Sequence, residues 1–202
     1  FGGFTHKKVM VVNGPYQLEL LTHEFYNEVF LRDLRAPEHE IFWLPLKVGK
    51  PYEDELNRQK PYETQVGTRD DCIVLRAAYR SRQFSKHRIE QAFALYPNGL
   101  VEHWLMIYNE TWEVESPKEV FINSFACLPI NQVTIPYAGK IRQNQIFELD
   151  GYDELETEKL DENWFFTKGE GFTAGCIWPD SLTMSLAEWR HGFQHNFGRI
   201  AK

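Results

Sequence analysis

The sequence predicts an all-β fold, a large antiparallel β-sandwich, and three observations carry that prediction. Residues 88–109, RIEQAFALYPNGLVEHWLMIYN, place two β-favouring runs around Tyr96-Pro97-Asn98-Gly99. Pro97 presets φ at the second position of a type I turn and Asn98 suits the third. Gly99 accepts the left-handed conformation that closes a hairpin with a bulge. Similar strand-like runs recur at short spacing with turn chemistry between them, and no amphipathic helix of ordinary length interrupts them. Aromatic residues make up 15% of the 202, a share that suits broad sheets better than helical bundles.

Taken in order, KVMVVN at 8–13 and QLELLT at 17–22 form a hairpin across Asn13-Gly14-Pro15. Residues 25–34 fit helix or strand by pattern, and their Tyr, Val and Phe content favours strand. A short apolar run at 40–44 ends at Pro45. From 45 to 67 the prolines, glycines and charges imply one long surface loop, with a helical turn possible at 51–57 behind Pro51. Sheet resumes at 72–81, continues through the central hairpin, and returns at 119–127. Residues 128–145 read as turn-rich, followed by a run at 145–149. The acid-rich segment 150–162 reads as a solvated loop, because like charges repel. Runs at 163–167 and 172–178 make a hairpin through Lys168-Gly-Glu-Gly171, and 182–186 precedes a histidine-bearing tail.

The length is that of one large domain or two small ones, read here as a single β-sandwich over 1–202, and the opening Phe1-Gly2-Gly3-Phe4 looks cut from a larger protein. A net charge of −7, without a cluster of Lys and Arg, disfavours nucleic acid and anionic membrane surfaces as partners. No apolar run has the length of a membrane helix. Cys72, Cys127 and Cys176 are too widely spaced for a zinc site or a disulfide framework. They read as buried structural thiols and point to a reducing, cytoplasmic setting. No cofactor is implied.

The strand with Leu75-Arg76, Tyr79-Arg80 and Ser81, the hairpin LYPNGLVE at 95–102 and the strand ending Ile107-Tyr108-Asn109-Glu110 resemble the galactose mutarotase-like group over about residues 70–125. That group comprises β-supersandwiches of aldose epimerases, also found as accessory domains of glycoside hydrolases and polysaccharide lyases. The resemblance implies a sandwich fold and a carbohydrate partner. In the epimerases a histidine follows that Asn as the catalytic acid, whereas residues 121–129 here, FINSFACLP, contain none. The second catalytic group, a late-strand Glu, corresponds to Glu162 or Glu188. Without the acid the ring oxygen lacks its proton donor, so the resemblance supports the fold and argues against that activity.

Sugar sites need flat apolar faces for CH groups and charged or amide partners for hydroxyls. Glu188-Trp189-Arg190-His191 and Glu162-Asn163-Trp164 offer both, and His103-Trp104 lies on the central hairpin. The candidate ligand-binding residues are therefore Glu188, Trp189, Arg190, His191, Glu162, Trp164 and His103. Against this, Trp104 and Trp164 also suit the core between two sheets. His191 and His195 share a face of a helix or a strand; without a third clear ligand no metal site is assigned, and Gly192 favours strand. Three functions follow: a carbohydrate-binding or accessory domain, a sugar epimerase or lyase using a Glu/His pair, and a structural domain contacting other domains of its parent protein. The first is preferred.

Overall fold

The structure, a computed structural model, describes residues 7–22, 27–38, 40–43, 47–48, 61–80, 87–109, 119–126, 130–145, 153–155, 157–169, 172–180, 183–189 and 192–200. Its strands are β1 (Lys7–Asn13), β2 (Tyr16–Thr22), β3 (Asn27–Asp33), β4 (Glu40–Trp43), β5 (Lys47–Val48), β6 (Glu63–Arg69), β7 (Cys72–Arg80), β8 (His87–Leu95) and β9 (Val101–Asn109). They continue as β10 (Glu119–Ala126), β11 (Ile130–Pro136), β12 (Ile141–Gln145), β13 (Asp153–Leu155), β14 (Trp164–Gly169), β15 (Phe172–Ile177), β16 (Thr183–Trp189) and β17 (Gly192–Ile200). One 3-10 turn, Thr157–Lys159, lies among them. The protein is all-β, as the sequence predicts.

Three antiparallel sheets result. The first has nine strands, in the order β1-β2-β3-β4-β10-β17-β16-β13 with β5 also on β10. The second is the meander β6-β7-β8-β9, and the third runs β12-β11-β14-β15. Each four-stranded sheet is thus an excursion between strands of the first.

The main core forms where β1–β3 face β7–β9. Val11, Leu18, Leu20, Val29 and Leu31 meet Leu75, Ala77, Tyr79, Ile89, Phe93 and Leu95, with Leu105 and Ile107 packed at the margin. In β7, β8 and β9 these core positions are all odd-numbered, the period-2 pattern of strands with one face inward. The third sheet has its own buried set, Val133, Ile135, Phe165 and Trp178.

The sequence reading is amended in three places. The 45–67 stretch is not one loop: Lys47–Val48 pairs with β10, and Glu63–Arg69 is a full strand on β7. Prolines and glycines around it obscured the β-branched alternation of Thr64, Val66 and Thr68. Residues 128–145 hold β11 and β12, whose Val133 and Ile135 are buried. Asp153–Leu155 within the acidic segment pairs with β16. The possible turn at 51–57, most of the run at 145–149, and Cys127 lie outside the described residues. Cys72 is buried and Cys176 half-buried.

The central turn forms as expected. Gly99 has φ +88° and donates its N–H to Tyr96 O at 3.1 Å, while Tyr96 N–H reaches Leu100 O at 2.9 Å. A Cβ on Gly99 would lie 2.6 Å from the Tyr16 ring, so this glycine is required by space as well as by φ. Gly99→Ala should cost about 2–4 kcal/mol, combining left-handed strain with overpacking. Gly67→Ala, with nothing within 4 Å of its Cβ, should stay within about 0.5 kcal/mol of the parent. Urea unfolding of both variants is the check; equal losses would refute the interlock.

Candidate functional site

The even-numbered residues of β7–β9 face away from the core, and with β6 they build a groove. The register aligns Gln65, Arg76, Ala92 and Trp104 in one row across the four strands. Gly67, Val74, Ala94 and Glu102 form the next row, and Glu63, Ala78, Glu90 and Met106 the row on the other side. Residues with little or no side chain occupy the middle: Gly67, Val74, Ala92 and Ala94. Larger groups stand around them, and the resulting trough has a volume of about 410 Å³. Ala92 is its floor, with Arg76 on one neighbouring strand and Trp104 on the other.

The indole of Trp104 is half-buried, and the Arg69 guanidinium lies 5.7 Å from its ring centroid. At that distance a cation stacked on the face adds about 0.5–1 kcal/mol at an exposed site. Arg69 also reaches Glu102 at 3.8 Å, and Tyr96 donates its hydroxyl to the same carboxylate at 3.2 Å. The opposite end is closed by Arg88, which donates Nε–H to Glu90 at 2.7 Å and pairs with Glu63 at 3.3 Å. Gln65 donates its amide to Glu63 at 2.5 Å. The trough is therefore edged by satisfied polar groups, while its lining carries an indole, an amide and two guanidinium groups.

The lining side chains offer guanidinium, amide, hydroxyl, thioether and indole groups, and among them no carboxylate, imidazole or thiol. The arrangement can bind a flat, partly apolar ligand and orient its polar groups. Among the described residues no group of three His, Cys, Asp or Glu side chains is placed to hold a metal.

The five described sequence candidates, His103, Glu162, Trp164, Glu188 and Trp189, are spread over three different sheets. Glu188 and Trp189 end β16, where Glu188 pairs with Asp153 and Phe193 and Trp189 pairs with Gly192. Arg190 and His191 lie outside the described residues. Glu162 and Trp164 do meet: the indole N–H donates to the Glu162 carboxylate at 2.6 Å, and the ring stacks on Phe166 at 5.9 Å. Both stand at the start of β14 in the third sheet.

His103 stands on the core side of β9, back to back with the groove. Its ring stacks on Phe93 at 4.3 Å between centroids and 7° between planes, and Nε2 lies 3.1 Å from the Gln91 amide nitrogen. Burial lowers its pKa to about 4, since charging the ring would mean desolvating it. The residue is thus a neutral packing element, and its neighbour Trp104 is the one turned outward. Gln65, Arg69, Arg76 and Met106 were not singled out from sequence. The hairpin turn alone sets Ala92 opposite Trp104; Arg76 required the register of β7 on β8, and Gln65 required recognising β6.

Comparisons of the chain with family models, with curated proteins and with solved structures find no match.

The depressed pKa of His103 has a consequence for stability. An unfolded His titrates near 6.5, so between about pH 6.5 and 4 the unfolded chain binds a proton that the folded one refuses. The neutral ring's contribution is complete above that window and is lost as pH falls through it. The parent should lose on the order of 2 kcal/mol more across this range than His103→Leu does. Denaturant titrations at several pH values would read this difference, and identical pH profiles would contradict it.

Proposed function

We propose that this chain is a carbohydrate-binding or accessory β-sandwich domain of the galactose mutarotase-like kind, and that saccharide sits in the Trp104 groove. One observation carries this reading. An indole faces an open trough whose opposite wall presents an amide and a guanidinium, with Ala92 between the indole and the guanidinium in their row. That is the pairing a sugar requires, a flat surface for its CH face and fixed donors for its hydroxyls. The absence of acid–base groups from the lining favours binding over turnover at this place.

The energetics suit a weak, reversible module. Covering on the order of 100 Å² of apolar surface contributes some 2–3 kcal/mol at about 25 cal/mol per Å². Hydrogen bonds to a charged partner add about 1.5–3 kcal/mol each. After ordering costs this corresponds to dissociation constants from about millimolar to high micromolar. The Glu162–Trp164–Phe166 cluster offers a second aromatic surface, but its indole N–H is already committed to Glu162.

A structural role is the second reading, favoured by the 86% exposed Ile177 and the 56% exposed Ile141 on the two edge strands of the third sheet. Exposed apolar side chains on sheet edges are where other domains dock.

Tryptophan fluorescence titration against a panel of neutral and acidic oligosaccharides tests the binding reading. Trp104→Ala should weaken binding about 10- to 100-fold, the loss expected for removing the platform. It should leave the unfolding midpoint nearly unchanged. Undiminished binding in Trp104→Ala would move the site elsewhere, and no binding to any glycan would leave the docking role. The chain should also fail to speed anomer interconversion of galactose or glucose; activity that disappears in His191→Ala would favour the epimerase alternative.

A further inference from the structure

We infer that the saccharide held in the Trp104 groove is acidic, a uronic-acid-containing chain whose carboxylate is taken by Arg76. This deepens the binding function proposed above and rests on it.

The inference begins with an accounting of guanidinium groups. Arg32 pairs with the buried Glu19 at 2.8 Å and Arg35 with Asp33. Arg69 reaches Glu102 and stacks on Trp104, and Arg88 is held by Glu63 and Glu90. Arg80 lies over the Tyr62 ring at 5.5 Å, and Arg142 over Tyr137 at 5.0 Å. Among the arginines whose side chains are described, Arg76 alone has neither a carboxylate nor a ring. It is exposed, and it stands in the middle of the groove with Gln65 on one neighbouring strand and Ala92 on the other.

The inner lining of the groove departs from the acidic balance of the chain. The chain carries a net −7, yet the ten lining residues include Arg69 and Arg76 and no carboxylate. The nearby acids are bound at the rims, Glu102 by Arg69 and Tyr96, Glu63 and Glu90 by Arg88. What remains unneutralised is one planar fork of N–H donors, the geometry that accepts a carboxylate through two parallel hydrogen bonds. Arg76 and Trp104 are two strands apart, about 10 Å between backbones at the ordinary strand spacing. A sugar ring lying over Ala92 would set one face on the indole and turn its exocyclic carboxylate to the guanidinium. A neutral sugar would fill the same space and leave Arg76 without its ionic partner.

The test is titration of the full chain with short oligogalacturonate, oligoglucuronate and oligomannuronate, each against its methyl ester, which keeps the ring and removes the charge. At least one backbone should bind about tenfold more tightly as the free acid than as the ester, the discrimination expected for one charge-assisted pair. Arg76→Gln should bring that ratio to about one, weakening the free acid about tenfold more than the ester, which loses only a neutral hydrogen bond. Trp104→Ala should weaken acid and ester alike. Arg76 is exposed, so its variant is expected to fold, and an unchanged unfolding midpoint confirms it.

Equal binding of acid and ester by the parent overturns the inference and leaves saccharide binding standing. So does binding of neutral oligosaccharides alone, or an acid preference that survives Arg76→Gln. Equally tight binding of polyglutamate would reduce the effect to general charge attraction and also overturn it. Failure of every saccharide, neutral or acidic, would instead remove the binding function itself.

Discussion

The two layers of the main core are located relative to each other by one junction, the place where the β1–β2 turn meets the ends of the second sheet. Asn13 closes β1 and spends its carboxamide across the gap, donating to Asp71 O at 2.8 Å and Leu95 O at 2.9 Å. Beside it Gly14, at φ +58°, brings its backbone against Pro97, where a Cβ would stand 3.0 Å from the carbonyl oxygen. Tyr16 lies across Gly99, and its hydroxyl is held by Arg35, itself locked to Asp33. That ion pair keeps the Asp33 carboxyl lowered to about 2 through the hydrogen bonds from Arg35. Two turns far apart in sequence thus fit together only because glycine occupies both contact points. Polar pinning of this kind sets the register within which the apolar residues pack.

Burial of the odd-numbered residues follows from that placement, and so does the groove. Once Leu75, Phe93 and Leu105 point into the core, Arg76, Ala92 and Trp104 must point out, since a strand alternates its faces. His103 and Trp104 show the same rule acting on neighbours. One is stacked on Phe93 and kept neutral, and the other lines the trough. The trough itself is a contrast of side-chain sizes on one face rather than a gap between elements, so nothing has to move for it to exist.

Charge is distributed on the two outward faces in opposite ways. On the first sheet Glu19 is only 3% exposed, with Lys8 and Arg32 both at 2.8 Å and Gln17 at 3.2 Å. Removing a buried carboxylate from water is costly, and two cations offset that cost. On the second sheet the acids stand at the rims and the central guanidinium is left unneutralised. The first arrangement is self-contained, whereas the second leaves one guanidinium without a carboxylate among the described residues.

How much of this could be read from the chain alone follows from the range of the interactions. The central turn, the first hairpin, the strand nature of residues 27–33 and of the tail, and the all-β class are local properties. They depend on Pro97, Asn98 and Gly99, on Asn13-Gly14-Pro15, and on period-2 patterning, all within a few residues of one another. The strand Glu63–Arg69 was hidden because Pro61 and Gly67 mask its short β-branched alternation, and pairing with β7 is what fixes it as a strand. β11 and β12 were hidden likewise by their flanking proline and glycine. Only the tertiary structure decided that Gln65 and Arg76 share a row with Trp104, that His103 packs inward, and that Glu162–Trp164 and Glu188–Trp189 belong to different sheets. Short-range sterics write turns and strands into the sequence, whereas a binding face is a sum over strands whose order only their mutual pairing sets.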